Sequence, residues 1–185
     1  HAPPLHEGDS TTHLSVVDAQ GNALALTTTL NSSFGSGILV RGAGFLLNNE
    51  LDDFALGGGA RNQFGLVGGD ANALAPGKRP LSSMTPTVVR KDGRVELVLG
   101  SPGGPRIISG VLTVLLRVLV YGETLREAVA APRFHQQWSP SATWVEPGWD
   151  AAFLAALEAR GHTLERRKSR FASVQAIRVG PDGSV

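Results

Sequence analysis

The order of elements legible in this 185-residue chain predicts a layered α+β domain. Three observations carry that class. An alternating hairpin opens the chain at residues 11–31. A long apolar helix signal follows at 107–120. Strand signals return at 164–167 and 173–179, after the helices.

Residues 1–10 are polar, contain Pro3-Pro4 and show no periodicity, so they read as an arm. The hairpin begins at Thr11-Thr12-His13-Leu14-Ser15-Val16-Val17-Asp18, and Ala19-Gln20-Gly21 forms its loop. A three-residue loop with Gly in the left-handed position is a common closure. Pairing Asp18 with Asn22 sets His13 opposite Thr27 and Thr11 opposite Thr29. Strand alternation then puts Leu14, Val16, Leu24, Leu26 and Leu30 on one face, which is expected to meet a core. The other face is small and rich in hydroxyls. On pairing alone, Thr11 and Thr29 are an ordinary cross-strand pair.

Residues 42–47 read as a short apolar strand, and 53–80 as a long glycine-rich loop. A loop of that length inside a domain is commonly functional. Residues 85–89 and 95–99 read as strands joined at Lys91-Asp92-Gly93. Gly100 to Pro105 then interrupt the pattern. The helix at 107–120 is apolar nearly all round, which predicts burial. Thr124 and Glu127 are spaced as a capping box for a short helix ending before Pro132. Asp150 caps a third helix over 151–160, with Gly161 as its stop. Pro181-Asp182-Gly183 is a turn after the last strand.

Composition excludes several classes. There are 17 Lys+Arg and 16 Asp+Glu, a net charge of +1, with no basic stripe for nucleic acid. The absence of Cys removes disulfides, thiolate chemistry and Cys-based metal sites. The apolar run at 111–121 contains Arg117 and is too short to span a bilayer. No signal peptide is visible. His135 and His162 lack ligand spacing and read as structural. His13 reads as part of its motif rather than as a base. Asn31-Ser32-Ser33 fits a glycosylation sequon, and no G-x-S-x-G elbow occurs.

Five motifs, in order, resemble the small subunit of gamma-glutamyltransferases (gamma-glutamyltranspeptidases). They are Thr11-Thr12-His13-x-Ser15-Val16-Val17-Asp18, Thr29-Leu30-Asn31-Ser32-Ser33-Phe34-Gly35-Ser36-Gly37, Leu46-Leu47-Asn48-Asn49-Glu50-Leu51-Asp52-Asp53-Phe54, Pro80-Leu81-Ser82-Ser83-Met84 and Gly100-Ser101-Pro102-Gly103-Gly104. The resemblance implies the four-layer αββα sandwich of N-terminal-nucleophile hydrolases, incomplete without a large subunit. It implies that residues 1–10 end that large subunit and that 11–185 are the small-subunit catalytic domain, with its last strands beyond Val185.

It further implies that the precursor cuts itself between Ser10 and Thr11, and that Thr11 becomes the nucleophile. Thr29 would orient it, and the N–H groups of Gly103 and Gly104 would form the oxyanion hole. Glu50 and Asp53 would hold the donor's α-ammonium, with Asn31, Ser82 and Ser83 binding the rest. The loop at 53–80 would be a lid, in which Phe64 replaces a Tyr that latches onto the residue matching Asn31. The implied reaction is gamma-glutamyl transfer from glutathione or related amides to water, amino acids or peptides. No cofactor and no metal are called for. The implied partners are the large subunit, glutathione and its acceptors, with self-association into a homo-oligomer through uncovered apolar faces. The implied location is periplasmic or secreted. Two alternatives stand beside it: a cephalosporin- or glutaryl-type acylase of the same superfamily, and a catalytically silent fragment acting only within an assembly.

Overall fold

The computed structural model describes residues 11–184. The arm at 1–10, with Ser10 of the expected cleavage bond, lies outside the described residues. The chain divides into two compact units, His1–Thr12 with Thr28–Ser82 and His13–Thr27 with Ser83–Val185.

The hairpin is formed by β1 (Thr12–Val17) and β2 (Ala23–Thr28). Its loop closes as the sequence predicts. The Asp18 N–H donates to the Asn22 carbonyl at 3.0 Å, and the Asp18 carboxylate accepts from the N–H groups of Gln20 and Asn22. The register follows, with His13 Nδ1 lying 2.7 Å from Thr27 Oγ1. The assignment of faces differs from the expectation. Leu14, Val16, Leu24 and Leu26 stand 41–49 % exposed, whereas His13 and Thr27 are buried. This chain's own elements pack on the hydroxyl-rich face and leave the apolar face uncovered.

In the first unit, β3 (Leu39–Val40) and β4 (Phe45–Leu46) pair antiparallel. The strand expected at 42–47 is therefore shorter. Gly42 and Gly44 take positive φ values of 82° and 74°, which an extended strand cannot hold, and they form the connecting turn. A 3-10 turn follows at Glu50–Asp53. The loop at 53–80 is internally organised. A second 3-10 turn spans Asp70–Asn72, and isolated bridges join Ala55 to Ala73 and Arg61 to Val67.

In the second unit, β5 (Thr87–Lys91) and β6 (Arg94–Gly100) form a hairpin closed by Asp92 and Gly93. Both closing residues have positive φ, 50° and 79°, the type I′ geometry for which Asp-Gly is suited. Strand β10 (Gln175–Arg178) adds to the other edge of β6. Helix α1 (Arg106–Leu119) buries Ile107, Gly110, Val111, Val114 and Val118 against Leu97 and Leu99 of β6. Each fully buried aliphatic side chain contributes roughly 1.5–3 kcal/mol. The helix is buried on one face only. Ile108, Leu112, Leu116 and Leu119 are exposed, so the expectation of burial all round is corrected.

Helix α2 (Leu125–Ala130) opens with the predicted capping box, in which the Glu127 N–H donates to Thr124 Oγ1 and the Thr124 N–H to the Glu127 carboxylate. Helix α3 (Ala151–Ala159) is capped by the Asp150 carboxylate. Two strands have no counterpart in the sequence reading, β7 (Phe134–His135) and β8 (Thr143–Val145). Strand β8 pairs antiparallel with β7 and parallel with β9 (Leu164–Arg166). His135 is structural, buried between Ser109 Oγ at 2.8 Å and Gln137 Oε1 at 2.9 Å.

The buried face of the hairpin meets β6 at one tight point. A methyl group on Gly100 would lie 2.2–2.8 Å from three atoms of the His13 ring, well inside van der Waals contact. That ring is fixed by Thr27 and by Ser15 Oγ at 3.0 Å, so it has little freedom to withdraw. Gly100→Ala is expected to destabilise the protein by about 1–3 kcal/mol, the usual cost of overpacking. Urea unfolding measures it, and an unchanged midpoint would count against the contact.

Candidate active site

Three of the candidate residues of the first unit, Thr11, Thr29 and Asn31, lie on one hydrogen-bond network. Thr11 Oγ1 donates to Thr29 Oγ1 at 3.1 Å. Thr29 Oγ1 also accepts from the Asn31 N–H at 2.9 Å. Asn31 is buried and holds a positive φ of 73°, a conformation that Asn tolerates better than most residues. Its Nδ2 donates to the Asn49 carbonyl at 3.2 Å. The Asn49 side chain in turn clamps Ser32, accepting from its N–H and donating to its Oγ, both at 2.9 Å. The sequence motifs contain Asn49, but nothing in the pattern singles out its bridging role.

The 3-10 turn at Glu50–Asp53 brings its two end carboxyls into contact. Burial raises the Glu50 carboxyl to about 7, helped by hydrogen bonding and repulsion from Asp53. Burial also raises Asp53, opposed by its hydrogen bond to Glu50. Glu50 Oε1 is buried and has no hydrogen-bond partner among the described residues. A buried, unpartnered carboxylate oxygen is costly unless something cationic meets it.

Asn72 joins Asp53 to the segment that leads to Ser82. Its Nδ2 donates to the Asp53 carbonyl at 2.7 Å, and its Oδ1 accepts from the Leu81 N–H at 2.9 Å. Ser82 is exposed and ends the first unit; Ser83 is half-buried and begins the second. Phe64 lies in the small turn bridged by Arg61 and Val67, where Asn62 Oδ1 accepts from the N–H groups of Phe64 and Leu66. Asn72 and Gln63 carry no signal that sequence reading could separate from an ordinary polar loop.

Gly103 and Gly104 belong to the second unit, between β6 and α1. Their φ values are 140° and 56°, open to glycine and strained for other residues. Their carbonyls accept from the N–H groups of Arg106 and Ile107, and among the described residues neither Gly103 N–H nor Gly104 N–H finds an acceptor. Donors left open at the start of a helix suit a developing negative charge. No group of three or more metal-ligating side chains is assembled among the described residues, and no helix is long and apolar enough to cross a membrane.

Residues 2–185 match the family model described as gamma-glutamyltranspeptidase. The chain belongs to the gamma-glutamyltranspeptidase family. Among its relatives is the glutathione hydrolase proenzyme of Escherichia coli, 52 % identical over 97 % of this chain and 31 % of that protein. The glutathione hydrolase proenzyme of Pseudomonas aeruginosa is 49 % identical over 95 % of this chain and 32 % of that protein. A mutant Helicobacter pylori gamma-glutamyltranspeptidase superposes with a TM-score of 0.89 at 50 % identity, covering 94 % of this chain and 95 % of the solved one. The fold is thus the α+β class of N-terminal-nucleophile gamma-glutamyltranspeptidases. The chain spans about a third of the length of the curated relatives it matches.

Proposed function

We propose that this chain is the nucleophile-bearing part of an enzyme that transfers the gamma-glutamyl group of glutathione and similar amides to water, amino acids or peptides. The observation that carries the reading is the 3.1 Å contact between Thr11 Oγ1 and Thr29 Oγ1, held from behind by the Asn31 N–H. Relatives named as glutathione hydrolase proenzymes support it, and they favour neither an acylase nor a silent fragment.

Cleavage between Ser10 and Thr11 frees the α-amine of Thr11. That amine, with an ordinary pKa of ~7.7–8.0, takes the hydroxyl proton as Thr11 Oγ1 attacks the gamma-carbonyl carbon. The N–H groups of Gly103 and Gly104 receive the oxyanion. Collapse breaks the amide C–N bond, the leaving amine takes the proton, and an acyl ester on Thr11 remains. Water or an acceptor amine then attacks the ester and regenerates the hydroxyl. Asn31, Ser82 and Ser83 bind the glutamyl end. A large subunit completes the site, and the enzyme works in the periplasm or outside the cell.

Glu50 and Asp53 take the donor's α-ammonium, and the raised carboxyl of Glu50 gives this role a pH signature. Below about pH 7 Glu50 holds a proton. An arriving ammonium favours the carboxylate and expels that proton, so binding weakens as pH falls. KM for a gamma-glutamyl anilide should rise by up to about tenfold per pH unit below 7 and level off above it. A desamino donor should show no such rise. Asp53→Asn should raise KM for the amino donor on the order of tenfold, the scale of a charge-assisted hydrogen bond, and barely affect the desamino one. Equal effects on the two donors would remove the assignment. Turnover of a glutaryl anilide in preference to the gamma-glutamyl one would overturn the function as a whole.

A further inference from the structure

The small turn around Phe64 is held to the candidate site through the neighbouring residue, Gln63. Gln63 Oε1 accepts from Ser32 Oγ at 2.8 Å, and the Gln63 N–H donates to Asp52 Oδ2 at 3.1 Å. Ser32 follows Asn31, and Asp52 precedes Asp53. One residue therefore braces two separate segments: the one leaving Thr29 and the 3-10 turn that carries Glu50 and Asp53. The Ser32 end continues through Asn49 to Asn31, Thr29 and Thr11. The turn itself is bonded internally. Arg61 bridges to Val67, the Arg61 guanidinium donates to the Gly65 carbonyl at 2.9 Å, and Asn62 caps the bend. The phenyl ring of Phe64 has no group that could donate or accept a conventional hydrogen bond.

We infer that Gln63 is a positioning residue, a latch that holds the turn at 61–67 closed on Ser32 and Asp52 and thereby retains the gamma-glutamyl donor. The donor assignment rests on the function proposed above; the latch rests on the geometry alone. Gln63→Met keeps the length of the side chain and removes its amide acceptor. The backbone bond to Asp52 survives, so the variant isolates the Ser32 contact.

The test uses the matured full-length enzyme with two readouts. In Gln63→Met, KM for a gamma-glutamyl anilide should rise three- to tenfold while kcat stays within twofold. Trypsin should also cut after Arg61, which is exposed, several times faster than in the parent. Ser32→Ala, which also removes the acceptor of Asn49 Nδ2, should show both effects at least as strongly, and the double variant should be no worse than Ser32→Ala. Ser32→Thr keeps the hydroxyl and should retain the parent's KM and resistance. A parent that turns over the anilide, with Gln63→Met shifting neither readout or only one, overturns the latch. A parent that does not turn it over overturns the proposed function instead, and the trypsin rates then decide the latch by themselves.

Discussion

Thr11→Ala in the full precursor should abolish both self-cleavage and turnover. The two losses share one cause. On the proposed function, cleavage would have the Thr11 hydroxyl attack the carbonyl of Ser10, forming an ester that water opens. Turnover would have the same hydroxyl attack the donor, with the freed amine as base. Removing a covalent nucleophile lowers kcat on the order of a millionfold in a well-studied hydrolase, so the expected rate is background. Among the described residues the hydroxyl bonds Thr29 Oγ1, a small polar contact whose loss should leave folding intact. Thr11→Ser retains the hydroxyl and should mature and turn over, more slowly. Electrophoresis of the purified precursor and release from a gamma-glutamyl anilide read the two steps. A Thr11→Ala precursor that still separates into two fragments at this bond would place the nucleophile elsewhere.

The largest stability effect is expected at Glu146, far in sequence from the candidate site residues. Glu146 and Arg133 are almost fully buried and form an ion pair with N–O 3.4 Å. Glu146 Oε2 also accepts from the Arg133 N–H, and Oε1 accepts from the Phe171 N–H, both at 3.0 Å. Arg133 donates in addition to the Val129 carbonyl at 2.7 Å. Glu146→Ala strands a buried guanidinium and two buried N–H groups at once. Breaking a buried pair by removing one partner costs about 3–5 kcal/mol. With a urea slope of about 1–3 kcal/mol/M, the midpoint should fall by roughly 1–5 M. Glu146→Gln retains an acceptor for one N–H group and should lose less. A midpoint within experimental error of the parent would mean that the carboxylate is not holding Arg133 and residue 171 together.

Local signals in the sequence were sufficient wherever the structure is locally determined. The Asp18–Asn22 closure, the Asp92-Gly93 turn, the Thr124–Glu127 capping box and the Asp150 cap all rest on side chains that bond backbone within four residues. Short strands were missed for the opposite reason. The two-residue β7 and three-residue β8 are held by pairing with each other and with β9, and neither is long enough to alternate. The facing of the hairpin could not be read either. Alternation separates two faces but does not say which one this chain's own sheet will cover, and here a glycine at 100 admits the His13 ring. In the candidate site, Thr11, Thr29 and the Glu50–Asp53 pair were legible from motif and register. Asn49, Gln63 and Asn72 were not, because a bridging amide is defined by what the fold brings to it.

The hydroxyl of Thr29 has a fixed hydrogen-bond capacity. A hydroxyl oxygen offers two lone pairs, and both are in use, one by the Thr11 hydroxyl and one by the Asn31 N–H. Thr29 is therefore saturated as an acceptor, and a neutral alcohol oxygen is in any case too weak a base to keep a proton leaving Thr11. It can aim the attacking oxygen but cannot deprotonate it. In the uncut chain the nitrogen of Thr11 is an amide and has no basic lone pair to offer, so the proton must go to some other group during maturation. After the cut the same nitrogen is an amine and can accept it. On the proposed function, one peptide bond thus separates two enzymes in the acid–base sense: the first cleavage and every later turnover would use the same oxygen with different proton acceptors, and their rates should follow different pH profiles.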